Sequence, residues 1–128
     1  MKIKPLKLLF VGLVAAFSMT LASAQTVDSI TAGKPYKLFY DHVDFKTPVI
    51  VTINSSTILS FNSIDITVVS TNAATTNFTF FVNLPPVEKG QYSYTMVVND
   101  PIFGMSAPSA PRDAKAKPRE PVINKISP

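Results

Sequence analysis

The stretch Asp41-His42-Val43-Asp44 holds the side chains best suited to chemistry in this 128-residue sequence. His42 is the only histidine and cysteine is absent, so the cluster could offer a metal ion one imidazole nitrogen and two carboxylates. A cluster without a second histidine or a cysteine rarely makes a metal site, and a polar stretch between strands is more often a solvated turn. We therefore predict no metal and no cofactor, with His42, Asp41 and Asp44 kept as the candidate ligands.

The same scarcity of reactive side chains bears on catalysis. A Ser-His-Asp triad could use only His42, and the sequence contains no nucleophile-elbow motif. Met96 and Met105 could join His42 as soft copper ligands, but methionines in strand-like segments more often fill a hydrophobic core. We predict that the protein is not an enzyme.

Two neighbouring segments carry the clearest structural pattern. Residues 77–84 and 92–98 alternate apolar and polar side chains with the period of two that is typical of half-buried strands. The prolines between them donate no hydrogen bonds to a sheet and favour a turn. The apolar faces consist of Phe78, Phe80, Val82 and Leu84 in the first segment, and of Tyr92, Tyr94, Met96 and Val98 in the second.

The rest of the sequence after residue 24 repeats this alternation and has no amphipathic helical window. Turn residues separate strand-like segments at spacings of about 8–12 residues, which is typical of sandwiches. We predict an all-β fold, an antiparallel β-sandwich of seven or eight strands formed by residues 25–107. The further strands are predicted at 26–31, 36–41, 48–53, 58–61, 63–71 and 102–107.

The turn between the two central strands has a recognisable arrangement of side chains. Leu84 and Pro86 precede Tyr92, which opens the following strand. In this the sequence resembles fibronectin type III and other immunoglobulin-like β-sandwich domains. The resemblance implies a tyrosine corner, in which the Tyr92 ring is buried and its hydroxyl returns to the main chain near the turn. Asn99, Gly104, Ser106, Pro108 and Ser109 are similar to the closing pattern of the same family.

The amino terminus has the features of a secretory signal peptide. Three lysines precede an apolar run from Leu8 to Leu21, and Ala22-Ser23-Ala24 supplies the small residues that signal peptidase requires. We predict cleavage after Ala24 and no membrane span in the mature chain. A transmembrane anchor is the alternative, although the run is shorter than the roughly 20 residues that span a bilayer. Because the exported chain has no cysteine, we predict a bacterial periplasm or cell surface.

The carboxyl-terminal residues differ from the rest in composition and charge. Residues 25–105 carry four lysines against six acidic side chains, whereas residues 106–128 carry five basic side chains against two acidic ones. The basic isoelectric point therefore does not indicate a basic folded surface, and we predict no nucleic-acid binding. We predict that 108–128 is a disordered, Pro-rich basic tail. Its candidate partner contacts are Arg112, Lys115, Lys117 and Arg119.

Three interpretations of this tail remain open at the level of sequence. The tail could be a solvated spacer or tether that presents P-x-x-P motifs in a polyproline helix. The stretch 118–128 could instead open a further sandwich module. Alternatively, Val122, Ile123 and Ile126 could form a strand that docks on the domain or on a neighbouring copy.

These patterns favour an exported, non-enzymatic binding or structural module whose partner is a protein or an envelope component. The alternative is a periplasmic metal-carrying protein or a chaperone-like assembly factor. An assembly factor of this kind would have exposed strand edges that capture unfolded subunits. The sequence contains no signal for an oligomeric state.

Overall fold

The computed structural model describes residues 26–72, 74 and 76–128. Within these residues the chain forms nine strands and one turn of 3₁₀ helix, Ser63–Asp65. The strands are rich in β-branched and aromatic side chains, which pack well on a pleated, half-buried surface. They are β1 (Val27–Thr31), β2 (Tyr36–His42), β3 (Val49–Ile53), β4 (Thr57–Phe61), β5 (Thr67–Asn72), β6 (Asn77–Leu84), β7 (Gly90–Asp100), β8 (Gly104–Met105) and β9 (Arg112–Lys117).

The strands form two sheets whose inner faces share one core. The large sheet has the strand order β1-β9-β7-β3-β4, with β8 paired to the end of β7, and the small sheet has the order β2-β6-β5. Neighbouring strands run antiparallel except β1 and β9, which are parallel. The prediction of an all-β, two-sheet fold is therefore confirmed, but the described residues form nine strands rather than seven or eight, and the β1–β9 pair is not antiparallel as predicted.

The core consists of the apolar faces that the alternation predicts. Val51 on β3 and Val82 on β6 are fully buried, and Phe80 is 1% exposed. Burial of each such side chain contributes roughly 1.5–3 kcal/mol to the stability of the fold. The other members of the buried cluster are Val49, Ile53, Ile66, Leu84, Tyr94 and Ala114.

The prediction of a disordered tail from residue 108 is wrong for Arg112–Lys117, which forms β9. This strand lies between β1 and β7 in the large sheet and pairs with both. Its inward residues are Ala114 and Ala116, which are 6% and 4% exposed. They alternate with charged side chains, but alanine is depleted in strands, so the alternation is a poor strand signal in sequence.

The segment 106–111, Ser-Ala-Pro-Ser-Ala-Pro, also belongs to the sandwich. The Ser106 nitrogen donates to the Val98 carbonyl and the Val98 nitrogen donates to Ser106 Oγ, each at 2.9 Å. Ser109 makes the same pair of bonds with Met96, at 2.9 and 3.0 Å. The serine hydroxyls thus take the place of main-chain acceptors along β7 in a segment whose prolines cannot donate.

Two predicted strand boundaries are wrong. Residues 63–65 form the 3₁₀ turn because the Asp65 carboxylate accepts a 3.1 Å bond from the Asn62 nitrogen, and β5 begins only at Thr67. The predicted closing strand 102–107 is reduced to β8. Its first residues form a turn in which the Asp100 carboxylate accepts bonds from the nitrogens of Ile102 and Phe103.

The predicted signal peptide, residues 1–24, lies outside the described residues. No helix in the described part of the chain has the length and apolar content needed to cross a lipid bilayer.

Candidate binding site

The outer edge of β2 is the longest regular strand edge of the sandwich. β2 pairs with β6 in unbroken register over all seven residues, Tyr36–His42, and has no partner on its other side among the described residues. The opposite edge of the small sheet, β5, is interrupted by a register shift between Val68 and Ser70. The edge strands of the large sheet, β1 and β4, have five residues each. A long, regular edge presents a continuous row of unpaired main-chain donors and acceptors.

A groove of about 520 Å³ runs beside this edge, and we call it the β2 groove. One wall of the groove is β2. The other wall is the part of the large sheet in which the segment 106–110 runs beside β7. Within the described residues the groove is uncovered, because β1 begins at Val27, opposite Asp113, and covers only the part of the large sheet where β9 runs. The apolar and hydroxyl lining of the groove consists of Leu38, Tyr40, Met96 and Val98 together with Ser106, Ala107, Ser109 and Ala110, and the charged residues Asp28, Lys37, Asp41 and Arg112 border it.

An ion pair lies at the end of the groove where β1 begins. The Arg112 guanidinium donates to both carboxylate oxygens of Asp28, at 2.8 and 3.0 Å. The hydrogen bond from Arg112 is the main cause that lowers the pKa of the Asp28 carboxyl below its usual value. Both side chains are about half exposed, so water screens the pair and it contributes little to stability.

The four predicted partner contacts of the tail are therefore not equivalent. Arg112 is held by Asp28 within the sandwich. Lys115 and Lys117 are exposed residues of β9. Lys115 lies between the two buried alanines, and Lys117 follows the second one. Arg119 lies past the last strand, with its side chain against the backbone of Gly33.

The candidate metal ligands are not brought together. Asp41 and His42 are consecutive residues of β2 and point to opposite faces of the small sheet. Asp41 accepts a 2.7 Å hydrogen bond from the Thr79 hydroxyl, whereas His42 lines the β2 groove. His42 Nε2 lies 3.4 Å from Asp44 Oδ2 and is buried without a hydrogen-bond partner. The described residues contain no group of three or more His, Cys, Asp or Glu side chains that could hold a metal ion.

The methionines proposed as copper ligands are also separated by the fold. Met96 is half-buried against the core, while Met105 is 66% exposed in β8. Met96 and His42 both line the β2 groove, where thioether and imidazole side chains lie among apolar neighbours.

The turn between β6 and β7 brings the Tyr92 hydroxyl to the main chain, while the Tyr92 ring is only partly buried. The Tyr92 hydroxyl donates a 2.8 Å hydrogen bond to the Glu88 carbonyl. Leu84 is buried in the core at the end of β6, and the exposed Pro86 lies in the turn. The Tyr92–Glu88 hydrogen bond ties the start of β7 in the large sheet to the turn that leads there from β6 in the small sheet.

We expect Tyr92→Phe to lower the free energy of unfolding by about 1 kcal/mol, because it removes a hydrogen bond and leaves the Glu88 carbonyl without its donor. Tyr94→Phe is the matched control, since Tyr94 is buried on the same face of β7. Urea titration of both variants measures the difference. Equal losses of stability would show that the Tyr92 hydroxyl has no special structural role.

Sequence analysis did not single out an exposed aromatic pair on the outer face of the small sheet. The rings of Phe39 and Phe81 lie 5.5 Å apart between centroids, and Lys37 Nζ lies 4.6 Å from the centre of the Phe81 ring. Phe39 is 57% exposed. The alternation in β2 places Phe39 on the same face as Lys37 and Asp41. An aromatic residue on that polar face was the sequence signal for an exposed ring.

Fold and site together define an all-β protein of two packed sheets with an open strand edge and an apolar groove beside it. The chain matches no protein-family model, no curated protein and no solved structure.

Proposed function

We propose that this chain is an exported, non-enzymatic binding module of the immunoglobulin and fibronectin type III-like class, which binds an extended polypeptide segment along the outer edge of β2. One observation carries the proposal: the unbroken edge of β2, which has no partner among the described residues, borders a largely apolar groove. An extended segment that adds to such an edge gains main-chain hydrogen bonds, and its alternate side chains enter the groove.

The edge of β2 lacks two of the usual protections against strand addition. Proteins guard exposed edges with proline, bulges or charged side chains. β2 contains no proline and its pairing with β6 has no register shift. Its two charged side chains, Lys37 and Asp41, border the groove but have partners on the outer face, where Lys37 lies over the Phe81 ring and Asp41 accepts from Thr79.

The predicted signal cleavage supports the same proposal. Cleavage after Ala24 would leave only Gln25 and Thr26 ahead of β1 in the mature chain. Two residues extend about 7 Å, whereas the seven residues of β2 extend about 23 Å. The mature amino terminus is therefore too short to cover the groove.

The contacts of the groove support binding rather than catalysis. Its serines, Ser106 and Ser109, accept hydrogen bonds from the main chain of β7, which engages their hydroxyls in structure. His42 Nε2 has no hydrogen-bond partner among the described residues and lies 3.4 Å from Asp44 Oδ2. A nucleophile next to a base is the minimum for hydrolytic covalent catalysis.

The strand order supports membership of the immunoglobulin-like class. β2, β6 and β5 face a sheet in which β3, β7 and β9 are adjacent, and β4 extends that sheet beside β3. The Tyr92–Glu88 hydrogen bond lies at the corner where such folds place a tyrosine.

Selection of extended peptides displayed on phage, against the purified mature domain, tests the proposal. We expect the selected peptides to share alternating apolar residues and to lose affinity by about tenfold or more in Ala107→Arg, which places a bulky charge on the groove wall. Thr57→Arg, an exposed residue on the edge strand β4, is the matched control and should bind normally. Failure to select any peptide, or equal binding by both variants, would contradict the proposal.

A further inference from the structure

We infer that the β2 groove binds the segment Val122–Ser127 of a second copy of this chain, so that copies associate head to tail. This inference rests on the proposed function, because it names the occupant of the same site.

The carboxyl-terminal segment is the least packed apolar part of the described chain. Val122, Ile123 and Ile126 are 87%, 84% and 93% exposed. All residues from Pro118 to Pro128 are exposed and none belongs to a strand. Three large aliphatic side chains within five residues make a short apolar patch that a partner would cover.

This segment repeats the residue pattern of β1. Ile123-Asn124-Lys125-Ile126-Ser127 matches Val27–Thr31 position by position: a β-branched residue, Asp or Asn, a polar residue, isoleucine, and a hydroxyl residue. In β1, Asp28 and Ile30 are half-buried while Val27 and Ser29 are exposed, and Ile30 packs on the core. The repeat therefore predicts a strand in which Asn124 and Ile126 face inward, with Val122 on the same side.

The length and side-chain spacing of this strand suit the groove. At about 3.3 Å per residue, the six residues of Val122–Ser127 extend about 20 Å, the length of Lys37–His42 along the free edge. Val122 and Ile126 would then enter the groove between Leu38 and Tyr40 of β2 and Met96 and Val98 of β7. Lys125 would point outward to solvent, as Ser29 does in β1.

The position of the segment in a single copy favours a second copy as its acceptor. β9 ends at Lys117 beside Thr31, at the end of the sandwich where β2 begins, and Arg119 then packs on Gly33. The groove extends along β2 as far as His42 at its other end, and within one copy the segment remains exposed rather than docked there. Each copy therefore offers one strand and one groove, and such an interface propagates into chains or closed rings.

Complementation between two variants of the full mature chain tests this inference. Ile126→Asp disables the donated strand and Ala107→Arg disables the groove, and both residues are exposed, so both variants should fold. We expect sedimentation analysis to show concentration-dependent assembly of the unaltered chain, monomers of either variant alone, and a one-to-one complex when the two are mixed. Ile102→Asp, which alters an exposed isoleucine outside the groove, is the matched control and should assemble normally.

The outcomes separate this inference from the proposed function. A monomeric mature chain that still binds selected peptides through the groove would overturn the inference and leave the proposed function standing. A lower melting temperature of monomeric Ile126→Asp would show that the segment docks on its own copy, which also overturns the inference. Absence of both peptide binding and assembly would overturn both.

Discussion

Removal of residues 112–128 should abolish the folded state, whereas removal of residues 118–128 should leave it nearly unchanged. The first truncation deletes β9, which pairs with β1 on one side and β7 on the other. Its loss exposes two strand edges, uncovers the core beneath Ala114 and leaves β1 without a pairing partner among the described strands. A domain of this size has a net stability of only about 5–15 kcal/mol, less than this combined loss.

Thermal unfolding followed by circular dichroism measures both truncations. We expect no cooperative transition for the shorter chain. For the chain ending at Lys117 we expect a change in Tm of less than about 4 °C, the equivalent of roughly 1 kcal/mol. A Pro-rich tail beginning at residue 108 would instead give two chains that melt alike, and that result would contradict the position of β9.

Phe80→Ala should lower the free energy of unfolding by about 3–5 kcal/mol, because Phe80 is 1% exposed and its deletion leaves a cavity in the core. Its ring contacts those of Tyr40, Phe45 and Phe78, with centroids 5.4, 6.2 and 6.1 Å away. A large part of the total stability would be lost with one side chain.

Phe39→Ala is the matched control for this substitution. Phe39 lies on the neighbouring strand but on the outer face, where it contacts Phe81 and is 57% exposed. We expect a loss of at most about 1.5 kcal/mol, the scale of one aromatic pair. Urea titration gives both values. Comparable losses in the two variants would mean that the inner and outer faces of the small sheet are assigned wrongly.

Sequence periodicity predicted the strands whose two faces differ strongly. In β6, Val82 and Leu84 are buried while the intervening Asn83 is exposed, so the alternation was clear. In β9 the inward residues are alanines. Their burial depends on close packing against neighbouring strands, and the local sequence does not reveal which strands those are. The 3₁₀ turn before β5 was missed for a related reason, because Ile64 continues the apolar pattern but is 86% exposed.

The candidate site depended on information that local sequence does not contain. Alternation places Leu38 and Tyr40 on an inner face, but whether β2 has one partner or two is decided by distant strands. The cluster around His42 drew attention by composition, and alternation along β2 then separated Asp41 from His42. Only the parallel pairing of β1 with β9 reveals that the edge of β2 is open.

Amide hydrogen exchange along β2 tests the central claim most directly, because successive amides of a strand point alternately to its two neighbours. The measurement uses the Ile126→Asp variant, so that the carboxyl-terminal segment of a second copy does not occupy the groove. The open edge predicts rapid exchange at every second amide between Lys37 and His42, slowed by about tenfold or more when a selected peptide is added. Uniform protection of β2 before any peptide is added, or protection that appears on β4 instead, would contradict it.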